Sequence, residues 1–110
     1  MAAPRSPAVI VVLVTCPSRE AGEKIARALV EERLAACANL VPQVTSIYRW
    51  EGKVVRDHEV LLVLKTRRAR FAALARRVAA LHPYAVPEIV ALPLEAGSRP
   101  YLAWVADSTR

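Results

Sequence analysis

Six consecutive apolar residues, Val9 to Val14, form the first strong pattern in the chain, and four of them are valine. A run so short and so β-branched predicts a strand buried on both faces. Ser18 then stands as an N-cap, with Glu20 and Glu23 in the first turn where they suit the helix dipole. Ala21, Ile25, Ala28 and Leu29 recur at helical spacing, so a helix is expected to run on to residues 34–36. A second extended stretch covers about 38–50. There Val44, Ser46, Tyr48 and Trp50 share one face, and Pro42 demands an edge position or a bulge. Glu51-Gly52-Lys53 reads as a hairpin tip, and 54–66 returns as a strand whose Val60–Leu64 run is again expected to be buried on both faces. Over 67–81, Phe71, Leu74, Val78 and Leu81 make one helical stripe, stopped by His82-Pro83. A fourth strand spans 88–94, with Pro93 marking another edge or bulge. Pro100 then starts a last short helix, with Tyr101, Leu102, Trp104 and Val105 as its buried positions.

The order β-α-β-β-α-β plus a terminal helix is an α+β pattern, the ferredoxin-like split βαβ. Placement of the prolines supports it independently. In that fold strands one and three are central and strands two and four lie at the edges. Here the unbroken apolar runs are strands one and three, and the prolines fall in two and four.

Length and charge narrow the picture further. At 110 residues the chain makes one domain, expected over 9–110 behind a short tail at 1–8. Arg5 followed by the run 8–14 has the length of a signal-peptide core, but one base precedes it and no A-x-A site follows, so a strand explains it better. Cys16 and Cys37 are too few for a disulfide framework, which favours a reduced, cytoplasmic protein. No stretch approaches the ~20 apolar residues that span a bilayer, and no membrane association is expected.

Candidate chemistry is sparse. Phosphate-binding glycine loops, H-E-x-x-H, C-x-x-C and G-x-S-x-G are all missing, so no enzyme is indicated. The net charge is +6, equal to the six bases Lys65, Arg67, Arg68, Arg70, Arg76 and Arg77. On a helical wheel these arginines surround the apolar stripe instead of forming a stripe of their own. A solvated helix surface is therefore expected, not a nucleic-acid site. Cys16, Cys37 and His82 are the main soft or borderline metal ligands, while His58, between Asp57 and Glu59, reads as an exposed residue. Tyr48 and Trp50 exceed what a small sheet needs to bury, and with Lys65, Tyr84 and Glu88 they suggest a subunit contact or an inter-subunit cleft.

Several words then occur in order. They are Val14-Thr15-Cys16-Pro17, Ala35-Ala36-Cys37-Ala38-Asn39-Leu40-Val41-Pro42, Thr45-Ser46-Ile47-Tyr48-Arg49-Trp50-Glu51-Gly52-Lys53, Leu64-Lys65-Thr66, His82-Pro83-Tyr84 with Pro87-Glu88, Ala91-Leu92-Pro93, and Tyr101-Leu102 with Trp104. From about residue 9 to 110 the chain resembles the CutA family of divalent-cation tolerance proteins. The resemblance implies a cytoplasmic homotrimer of PII-like protomers whose edge strands pair between subunits. It implies no enzymatic activity and no required cofactor, with copper or another divalent cation as the ligand. The ligands proposed in some members are a first-strand Cys and two adjacent His before Pro-Tyr. Those positions are Val14 and Leu81-His82 here, so only His82 carries over, with Cys16 and Cys37 nearby in type. The alternative it leaves open is a PII-like sensor of a small anion, with Lys65 and neighbouring arginines as contacts.

Overall fold

A computed structural model describes residues 8–110; apart from Ala8, the tail expected at 1–8 lies outside the described residues. The order is β1 (Val9–Cys16), α1 (Arg19–Glu31), β2 (Cys37–Trp50), β3 (Lys53–Arg67), a 3₁₀ turn at Arg68–Arg70, α2 (Phe71–Leu81), β4 (Val90–Pro93) and α3 (Arg99–Ser108). The four strands form one antiparallel sheet in the order β2-β3-β1-β4. This is the ferredoxin-like, PII-like arrangement, with the two apolar runs central and the two proline-bearing strands outside.

One face of the sheet carries α1 and α2. Ile25 and Leu29 of α1 and Leu74 and Val78 of α2 pack on Val12, Val14, Leu62 and Leu64, all essentially without exposure. Each such side chain contributes roughly 1.5–3 kcal/mol by leaving water. The other face is only half covered. Val11, Leu13, Leu61 and Val63 stay partly exposed, so β1 and β3 are not buried on both faces along their length as expected, because in one protomer α3 covers that face only at the Val9 end.

The helix ends differ from expectation for local reasons. α1 is capped by Ser18 Oγ, which accepts from Ala21 N at 3.1 Å, but it stops at Glu31 instead of 34–36. Arg33 turns into the left-handed region at φ 60, and the N–H groups of Leu34 and Ala35 fold back to Leu29 O, as in a Schellman ending. The start of α2 has no side-chain cap, and residues 68–70 tighten into a 3₁₀ turn, a common opening for a helix. In α3 the buried face is Leu102, Val105 and Ala106, continued by fully buried Thr109. Tyr101 and Trp104, expected inside, lie beside that face, half exposed, with their rings in contact at a tilt of 41° and centroids 5.6 Å apart.

The β2–β3 turn sets the register of the outer sheet. Glu51 and Gly52 both have positive φ, 49 and 77, which is the two-residue hairpin turn that matches strand twist. It sets Trp50 opposite Lys53 and, after a bulge around Pro42, Cys37 opposite Lys65. Only residues 60–67 of β3 pair with β1. The outer halves of β2 and β3 therefore project as a two-stranded arm, which stretches the molecule to 55 × 25 × 22 Å. β4 is shorter than the expected 88–94 and pairs with β1 over residues 10–13 alone. Among the described residues no helix is long and apolar enough to cross a membrane.

Candidate functional site

His82 ends α2 in extended backbone, as the following proline requires. It is 7% exposed. Its Nδ1 accepts the backbone N–H of Tyr84 at 3.1 Å, so Nε2 carries the proton and donates to Thr15 O at 2.8 Å. Both ring nitrogens are used. The imidazole clips the loop after α2 onto the end of β1, and neither nitrogen has a lone pair free for a metal.

The expected soft-metal ligands are not gathered around it. Cys16 is buried on the helix face of the sheet, and burial, with the nearby Glu59 carboxylate adding to it, pushes its thiol up to about 11. Cys37 sits opposite Lys65, whereas Cys16 sits opposite Val60. Five strand residues separate these positions, about 17 Å. Both thiols are free. Among the described residues no three His, Cys, Asp or Glu side chains converge on a metal position.

The clip at His82 instead builds one wall of a groove of about 760 Å³. The arm supplies Ser46, Ile47, Tyr48 and Trp50, the loop after α2 supplies Tyr84 and Glu88, and Thr15 and Glu59 form the floor. Glu59 is 8% exposed, and its Oε2 accepts the Tyr84 hydroxyl at 2.9 Å. Burial, then that bond and the carboxylate's charge, hold the Tyr84 phenol far above its usual range. The Tyr48 hydroxyl likewise donates to Asp57, and that bond raises its phenol. Of the side chains lining the groove, Glu59 and Glu88 are charged and none is basic.

The groove thus unites Tyr48, Trp50, Tyr84 and Glu88 from the expected set, but not Lys65. Lys65 stands six residues beyond Glu59 on β3, about 20 Å away, and donates to Asn39 Oδ1. Within one protomer Lys65 and Glu88 are not brought together. Glu59 is the residue that sequence reasoning overlooked. A signal existed, because counting register back from the Glu51-Gly52 turn places Glu59 opposite Val44, on the face shared by Tyr48 and Trp50. The arginines near Lys65 serve the scaffold. Arg77 pairs with Glu32 at 2.9 Å, and Arg67 and Arg70 donate to the Thr109 carbonyl at 2.5 and 2.6 Å. His58 shares its Nδ1 with Gln43 and Thr45 on the arm surface.

Comparison with known proteins agrees with this fold. The family model described as CutA1 divalent ion tolerance protein matches residues 10–108. The divalent-cation tolerance protein CutA of Thermus thermophilus is 61% identical over 99 residues, 90% of this chain and 96% of that protein. The chloroplastic CutA of Arabidopsis thaliana is 54% identical over 92% of this chain, which spans only 56% of that relative. A solved structure of the Thermus thermophilus divalent cation tolerance protein superposes with a TM-score of 0.91 at 59% identity, covering 93% of this chain and 99% of that one. With nearly the whole described chain matched in sequence and in fold, the chain belongs to the CutA family of divalent-ion tolerance proteins.

Proposed function

We propose that the chain works in divalent-cation tolerance as a cytoplasmic homotrimer that binds a small ligand in the groove between Trp50, Tyr84 and Glu59, without catalysing a reaction. The observation that carries this reading is the Glu59 carboxylate. It is buried on the groove floor and held by the Tyr84 hydroxyl, beneath aromatic walls that the core does not need. Burying a carboxylate is costly unless it is paired, and a groove that retains one is suited to a ligand.

Assembly is supported by what one protomer leaves uncovered. A two-stranded ribbon is marginal alone, yet the arm exposes Ile47, Tyr48, Trp50 and Val54, and the free β4 edge exposes Val90 and Leu92. Edge strands with such side chains are matched surfaces for pairing between copies. The half-covered sheet face at Val11, Leu13, Leu61 and Val63 would be closed by the same association. Light scattering on a sizing column should give about three times 12.1 kDa, unchanged on dilution, as obligate apolar interfaces behave. A monomer at micromolar concentration would refute it. Trp50→Ala is expected to weaken assembly, since a buried aromatic anchor carries about 2 kcal/mol or more.

Direct copper binding at His82 with Cys16 or Cys37 is the less supported reading, because it requires the ring to give up at least the Tyr84 N–H that its Nδ1 accepts. The anion-sensor reading suffers likewise, since Lys65, Arg67, Arg70 and Arg77 are engaged elsewhere.

A further inference from the structure

The groove is selective in the kind of hydrogen bond it offers. Both phenol hydroxyls lining it spend their protons on carboxylates, Tyr84 on Glu59 and Tyr48 on Asp57. The Thr15 carbonyl beneath is taken by His82. Glu59 Oε2 is occupied, but Oε1 has no hydrogen-bond partner among the described residues. Among those residues no buried side-chain polar atom is left unpartnered, so Oε1 opens onto the groove that Glu59 lines. Glu88 adds a second carboxylate at the rim. Among the lining side chains the hydroxyls of Ser46 and Thr15 and the indole N–H of Trp50 remain as uncommitted donors. The groove is therefore rich in acceptors and ring faces, and its lining carries no base in a chain that has sixteen.

Three ligand classes can be weighed against that inventory. An anion would face Glu59 and Glu88 without a compensating cation. A divalent metal needs four ligands as zinc, or six or more oxygens as calcium or magnesium, and among the described residues no third metal-binding side chain converges here. An organic ammonium needs what is present: acceptors for its N–H groups, a negative charge, and aromatic faces, which attract cations within about 6 Å. We propose that the groove binds a small organic amine in its protonated form, with its ammonium on Glu59 Oε1 and its carbon skeleton against Trp50 and Tyr84. This deepens the ligand-site reading above and depends on it.

Calorimetric titration of the full chain with four probes tests it: benzylammonium, the near-isosteric neutral benzyl alcohol, benzoate, and magnesium chloride. Benzylammonium is expected to bind at least about tenfold more tightly than the alcohol or benzoate, the scale of one charge-assisted hydrogen bond. Glu59→Gln should remove most of that preference. If Glu59→Gln fails to fold, Glu88→Gln carries the test and is expected to reduce the preference for the amine. Equal affinity for alcohol, benzoate and amine overturns the ammonium assignment while leaving the groove as a ligand site. So does magnesium binding that is lost in the groove variants while the amine is silent. No binding by any probe, or amine binding indifferent to every groove variant, overturns the ligand-site reading itself.

Discussion

Replacing His82 by alanine separates a structural clip from a metal ligand. The ring makes two hydrogen bonds to main chain, at 2.8 Å to Thr15 O and 3.1 Å to Tyr84 N, and is almost wholly buried. Each such bond is worth about 1 kcal/mol net, and a main-chain group left unpaired inside costs about 1–3 kcal/mol more. Water will reach part of the gap, because the Tyr84 loop borders the groove, so the larger figure does not apply twice. The expected loss is about 3 kcal/mol, with the Tyr84–Glu59 bond loosened as a further consequence. Guanidinium denaturation in the presence of a chelator measures it, at fixed protein concentration because an oligomer's stability depends on concentration. Copper titration of the same pair of proteins should show similar affinities. If His82→Ala instead denatures within about 0.5 kcal/mol of the parent while copper affinity falls about tenfold, the clip argument is wrong and His82 is a ligand.

Other consequences come from single features. At about pH 8 a thiol reagent should label half-exposed Cys37 promptly and buried Cys16 only in denaturant; equal rates would contradict the burial. Cys16 and Tyr84 both hold their protons more tightly folded than unfolded. Stability should therefore be flat below about pH 9 on their account and fall as pH rises from there towards about 11, where Cys16 alone removes roughly 2 kcal/mol; Cys16→Ala should flatten that decline. Thr66 is fully buried and its hydroxyl donates to Leu34 O at 2.7 Å, so Thr66→Val should cost about 1–2 kcal/mol in a denaturant melt. Gly52 has open space around it but φ +77, so Gly52→Ala should cost about 1 kcal/mol by backbone strain alone.

Element order and strand positions were legible in the sequence because they rest on period and punctuation. The stripe Phe71, Leu74, Val78 and Leu81 marks α2, and Pro42 and Pro93 mark the two outer strands. What could not be read were effects with no side-chain signature. α1 ends at a left-handed arginine, where glycine is the usual signal. The α3 aromatics mislead because a large ring reads as core, whereas Val105, Ala106 and Thr109 take the inner positions.

The site divides in the same way. Tyr48 and Trp50 could be placed together by alternation along β2, and the Glu51-Gly52 turn fixes Asp57 and Glu59 on their side of the arm. Tyr84 and Glu88 approach from a loop whose path is set by His82 reaching across to Thr15, sixty-seven residues away in sequence. No local pattern carries that contact. The same histidine that resembles a metal ligand in the word His82-Pro83-Tyr84 explains why the groove exists. By holding Thr15 O and Tyr84 N at once, it brings the phenol over Glu59 and leaves one carboxylate oxygen facing outward. On this geometry His82 matters to function by positioning Tyr84, and its substitution should weaken whatever the groove binds without removing a direct contact to it.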